Sequence, residues 1–111
     1  MTRKEIFETV LAVVCDVCGT APEDTLRGVK KSEVVEARSM AAHYLQRYGI
    51  TPGDVIRFSG GSVKHRYCVT KSASMYYDRY EQSFSFRSEA DEVGNALTRI
   101  LQQTCNEPET H

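Results

Sequence analysis

The chain reads as an all-α fold, a compact helical domain of about five to six helices. Three observations point there. Apolar residues recur at spacings of three and four through most of the sequence. Pro22 and Pro52 stand at the openings of such segments, where a helix has no use for the missing amide N–H. Alternation of the β kind is confined to Phe84-Ser85-Phe86, too short for a strand. With 111 residues, a single domain over 1–105 and a flexible tail over 106–111 are expected, with enough chain to close a core without disulfide or metal staples.

Taken in order, residues 3–17 set Ile6, Val10, Val13, Val14 and Val17 on one helical stripe, with Glu5, Glu8 and Asp16 outside it. Gly19 suits the exit. Ala21-Pro22-Glu23-Asp24 opens a short second helix through Leu26, its acids beside the positive end of the dipole. Gly28-Val29-Lys30-Lys31 is a basic loop. Ser32 is then expected to cap a third helix whose face is Val34, Ala37, Ala41, Tyr44, Leu45 and Tyr48, ended by Gly49. Thr51-Pro52-Gly53-Asp54 gathers a capping threonine, a first-turn proline and an acid three residues after the cap. The short fourth helix carries Val55, Ile56 and Phe58 up to Gly60-Gly61. Ser62 is expected to cap a fifth helix reaching about Tyr80, with Glu81 to Phe86 as the connection. Ser88, three residues before Asp91, then opens a last helix through Leu101.

The formal net charge of −1 conceals an asymmetry. Between Leu26 and Arg79 there are ten Lys/Arg against four Asp/Glu, whereas the flanks hold four bases and eleven acids. A basic centre with acidic ends suits a phosphate backbone, and a mixed solvated surface would produce the same blocks. No apolar run approaches the roughly 20 residues that span a bilayer. Arg3 and Lys4 precede a stretch broken by Glu5, Glu8 and Asp16, unlike a secretory signal, so a soluble cytoplasmic chain is expected.

Cys15 and Cys18 form a lone C-x-x-C, with Cys68 and Cys105 far away. Structural zinc sites use two ligand pairs at knuckle spacing, and a redox pair belongs beside a β-α-β pattern. At the end of an apolar helix these cysteines read instead as small buried hydrophobes, and no metal or cofactor is expected. His43, His65 and His111 lie on different elements, no G-x-x-x-x-G-K-[ST] occurs, and no triad or carboxylate pair is evident. No catalytic residue is assigned, and an enzyme is not expected.

The more telling stretch is Val34 to His65. Two helical patterns separated by a glycine turn outline a helix-turn-helix, whose second helix enters the DNA major groove and reads bases from its first turn. That turn would present Ser62, Lys64, His65 and Arg66. Lys64 and Arg66 point different ways around a helix, so one would reach bases while the other meets phosphate.

The run Glu23-Asp24-Thr25-Leu26, the basic loop, the segment Glu36-Ala37-Arg38-Ser39-Met40-Ala41, then Asp54-Val55, Gly60-Gly61 and His65 carry a resemblance. Together they resemble the C-terminal duplex-binding domain of the bacterial replication initiator DnaA, one of the Trp-repressor-like helix-turn-helix folds. With the flanking helices the likeness covers roughly residues 5 to 103. It implies an all-helical DNA-binding module tied to replication initiation or its regulation, without the family's nucleotide-hydrolysing part. It also implies that Arg38 and the Lys30-Lys31 loop contact the backbone and minor groove.

The chain departs from the family where the recognition helix opens. The family's G-G-R-D-H-T-T is replaced by Gly60-Gly61-Ser62-Val63-Lys64-His65-Arg66-Tyr67. Aligning His65 with the family's histidine needs an extra residue after the glycines; a gapless alignment puts Lys64 there. The family's base preference therefore does not carry over, since aspartate accepts from cytosine N4 whereas Lys and Arg favour guanine. The expected partner is duplex DNA, contacted by Lys30, Lys31, Arg38, Ser62, Lys64, His65 and Arg66. The competing reading is a protein-interaction scaffold on a degenerate helix-turn-helix. Single-stranded binding ranks last, because Tyr76, Tyr77 and Tyr80 sit at core spacing rather than free for stacking.

Overall fold

The computed structural model describes residues 1–106, with side chains through Leu101. Its helices begin and end largely where short-range chemistry dictates. α1 (Arg3–Cys18) starts on a reciprocal cap: Glu5 N donates to Thr2 Oγ1 at 3.1 Å and Thr2 N to the Glu5 carboxylate at 2.7 Å. It ends at Gly19, whose φ of 69° lies in the left-handed region. α2 (Pro22–Arg27) opens with its proline in the first turn and closes at Gly28. α3 (Ser32–Arg47) has Lys31 at its N-cap, so Ser32 is the first helical residue and makes no cap; the expected serine cap is corrected by one position. α4 (Pro52–Phe58) has the anticipated box, Asp54 N donating to Thr51 Oγ1 and Thr51 N to Asp54 Oδ2, each at 3.1 Å.

Beyond α4 the expectations shift. α5 (Arg66–Ser74) and α6 (Tyr76–Gln82) are separated only by Met75, itself helical in φ and ψ, so the expected fifth helix is a rod broken at one residue. α7 (Phe84–Asn106) starts five residues earlier than the Ser88 capping signal suggested. Ser83 rather than Ser88 serves its first turn, accepting from Phe86 N at 3.2 Å. The reason is burial: Phe86 is fully enclosed, worth about 1.5–3 kcal/mol for such a side chain, and a helix starting at Ser88 would leave it on a loop. Asn106, expected in the tail, belongs to α7, and positions 107–111 of that tail lie outside the described residues. Among the described residues there is no strand, and no helix is long and apolar enough to cross a membrane.

The core joins Val10 and Val14 of α1, Ala37 and Met40 of α3, and Phe86, Val93 and Leu97 of α7, all essentially without solvent contact. α3 lies at the centre, packed on α1, α2 and α5. Tyr44 on α3 donates its hydroxyl to Ala90 O on α7 at 2.9 Å, satisfying a polar group that the core would otherwise strand.

α4 is fastened to the start of α1 by charge. Asp54 accepts from Arg3 Nη2 at 2.8 Å and from Arg57 Nη2 at 2.7 Å, and Arg3 Nη2 also donates to Gly49 O at 2.7 Å. The Arg3 hydrogen bonds, then the Thr51 amide, hold the Asp54 carboxyl down at about 2. The helix that must support the motif's second helix is thus anchored at its first turn.

Candidate nucleic-acid interface

The motif is α4, a turn over 59–65, and α5. Gly60 and Gly61 both adopt positive φ, 64° and 96°, a backbone that residues with a Cβ avoid. Ser59 organises the turn: its hydroxyl donates to Ile56 O at 3.0 Å and accepts from Val63 N at 3.1 Å. Val63 turns inward to pack on the core cluster.

These features displace the helix start. Ser62, expected as the cap, has its own amide bonded to Ser59 O at 3.3 Å and lies within the turn. With Val63 turned inward, helix begins only after His65, an extended N-cap whose side chain makes no capping bond. Ser62, Lys64 and His65 are therefore displayed from a loop at the head of α5, and only Arg66 of that quartet is helical.

α5 buries none of its residues. It is held from behind: buried Ser39 of α3 donates its hydroxyl to Ser72 O at 2.9 Å, and Val69 packs against the core. It also carries Tyr67, 71 % exposed, with the Lys71 ammonium 6.0 Å from the ring centre.

Between α2, the basic loop, α3 and α5 runs an open groove of about 620 Å³. Lys30, Arg38, Ser62, Lys64 and His65 line it, joined by Arg27 and Lys71, and no carboxylate lines it. Five of the seven sequence-assigned residues therefore share one face. Lys31 and Arg66 are exposed but stand outside the groove. The Arg66 guanidinium lies over the start of α4, where a Cβ built on Gly53 would meet its Nη2 at 3.4 Å. Sequence reasoning missed Arg27 and gave Tyr67 no role; the four-residue spacing of Tyr67 and Lys71 was the available signal.

Arg38 has a role the sequence did not reveal. Its Nε donates to Thr25 O and its Nη2 to Val29 O, both at 2.8 Å. One acceptor is a carbonyl in the last turn of α2, where a cation is favoured by the helix dipole; the other immediately precedes Lys30-Lys31. Half-burial pulls the guanidinium below its ordinary pKa. Arg38 thus clamps the basic loop to α3.

The remaining candidates are accounted for by packing. His43 stacks on Tyr76 with centroids 3.6 Å apart and planes 2° from parallel, and burial followed by nearby Arg47 lowers its pKa. Cys15 is buried 3.5 Å from Thr25 Oγ1; Cys18 lies 3.6 Å from Met40 Sδ, and burial pushes its thiol up to about 12. Among the described residues, no group of three His, Cys, Asp or Glu side chains is arranged to hold a metal ion. Compared with known proteins, the chain matches no family model, no curated protein and no solved structure.

Proposed function

We propose that this chain is a non-enzymatic duplex-DNA-binding module that works through α4 and α5, in the manner its sequence shares with the C-terminal domain of DnaA. The observation that carries the reading is the carboxylate-free cationic face beside a helix that buries none of its residues. Lys30 and Lys31 meet phosphates, and Arg38 shapes the loop that bears them. Base edges fall to one or two of Lys64, His65 and Arg66 at the head of α5, Lys64 and Arg66 dividing base and phosphate between them, with Ser62 supplying a further hydroxyl; Lys and Arg there favour guanine O6 and N7. In this reading the chain works in the cytoplasm, on the nucleoid, in replication initiation or its control.

The test is duplex affinity across a salt series for the wild type, Lys31→Ala and Lys64→Ala. Loss of a phosphate contact weakens every sequence alike and lowers the salt slope by about one, whereas loss of a base contact costs about 1–3 kcal/mol on the preferred site and little elsewhere. Absence of duplex binding or of salt dependence in the wild type overturns the proposal.

A further inference from the structure

The groove contains more than a phosphate backbone can use. Its floor is apolar: Leu26, Val35, Val63, Val69 and Met75 line it, each only half-buried. Its edges are the exposed cations Arg27, Lys30, Lys64 and Lys71, with the His65 ring beside them. Half-buried valines on α3, the turn and α5 lower no free energy by facing phosphates, which are hydrated anions. They do so by receiving apolar side chains.

We infer that this groove docks an acidic amphipathic helix of a partner protein. Such a helix sets apolar residues at i, i+3, i+4 and i+7 onto the valine floor and its flanking carboxylates against the cationic edges. Charge complementarity selects the occupant: a neutral helix leaves the edges unpaired, and a basic one is repelled by all of them. Three helices and a loop build the groove, and Arg38 holds the loop in place through Thr25 O and Val29 O. The site is therefore largely formed before its partner arrives. Because Lys30, Lys64 and His65 also belong to the proposed DNA face, helix and duplex would compete where both bind. The docking itself requires no DNA.

The probe is a synthetic helix of about four turns with leucines on one face and glutamates on the other. It is titrated without nucleic acid into isotope-labelled full-length protein while amide resonances are followed. Two control peptides replace the glutamates by lysines or the leucines by serines. The expected result is saturable binding that shifts the Val35, Val63 and Val69 amides, at least tenfold tighter than either control. Lys30→Glu and Lys64→Glu each weaken it about three- to tenfold, as reversal of a rim charge does. Both positions are exposed, so the variants keep the fold. The inference is overturned by no binding up to about 1 mM peptide, by controls that bind equally well, or by shifts confined to the residues around the His43 and Tyr76 stack. It is equally overturned if duplex DNA alone, and not the peptide, shifts the valine amides. Failure of the peptide leaves the duplex titration standing as a separate result, and the reverse holds too.

Discussion

Replacing Arg38 with alanine distinguishes a phosphate ligand from a residue that shapes the proposed DNA-binding surface. The substitution deletes two hydrogen bonds of 2.8 Å from a guanidinium to backbone carbonyls. Bonds from charged donors contribute about 1.5–3 kcal/mol each. Arg38 is only half-buried, so water replaces part of both, and the expected total is about 2 kcal/mol. For a chain of this length each kcal/mol moves the midpoint by about 4 °C, so Arg38→Ala should melt about 8 °C below wild type. Arg38→Lys, able to reach one carbonyl, should lose about half as much. Melts followed by circular dichroism supply the stability, and duplex titrations over a salt series supply the contact count. Lys31→Ala is the opposite control, with a wild-type midpoint and a salt slope reduced by about one. If Arg38→Ala melts with the wild type while its salt slope falls by one, Arg38 is a phosphate ligand and the clamp is incidental.

A Cβ built on Gly94 would stand 2.7 Å from Tyr44 Oη, which its bond to Ala90 O keeps from retreating. Gly94→Ala should therefore lower the melting temperature, about 1–3 kcal/mol of overpacking exceeding the helix-propensity gain of up to about 1 kcal/mol. In a Tyr44→Phe background the same change should become stabilising, and a double-mutant cycle that shows no such reversal contradicts the packing. Asp54 titrates lower in the folded chain than in the unfolded one, so its contribution is complete above the unfolded value near 3.8 and is lost as pH falls toward about 2. Asp54→Asn should accordingly lower the urea midpoint at neutral pH, with the gap from wild type closing through that acidic window; a gap independent of pH refutes it.

Local signals in the sequence proved reliable wherever a side chain settles the backbone beside it. The Thr51–Asp54 box and the Gly19 exit were legible because each satisfies amides or carbonyls within a few residues. The opening of α5 was not, because it depends on Val63 being drawn into the core and on Ser59 bridging the turn. Ser62 looks suited to capping in the sequence, yet the path of the turn puts the N-cap at His65, whose side chain makes no capping bond. Ser88 misled for a related reason: Phe86 needs burial, which extends α7 back to Ser83. For the site, charge asymmetry located the cationic stretch, yet only folding could bring Arg27, Lys30 and Lys64 to one groove. The clamp formed by Arg38 was invisible because its acceptors are main-chain carbonyls, which carry no sequence signature.

Selection of bound duplexes from a random library, at near-physiological salt with wild-type protein, tests the claim of sequence-specific DNA binding most directly. The expected result is enrichment of one compact motif containing guanine, contacted from the head of α5, and loss of that enrichment in a combined Lys64→Ala and His65→Ala variant. Recovery of no motif after repeated rounds, with library binding no stronger than that of the variant, would contradict it.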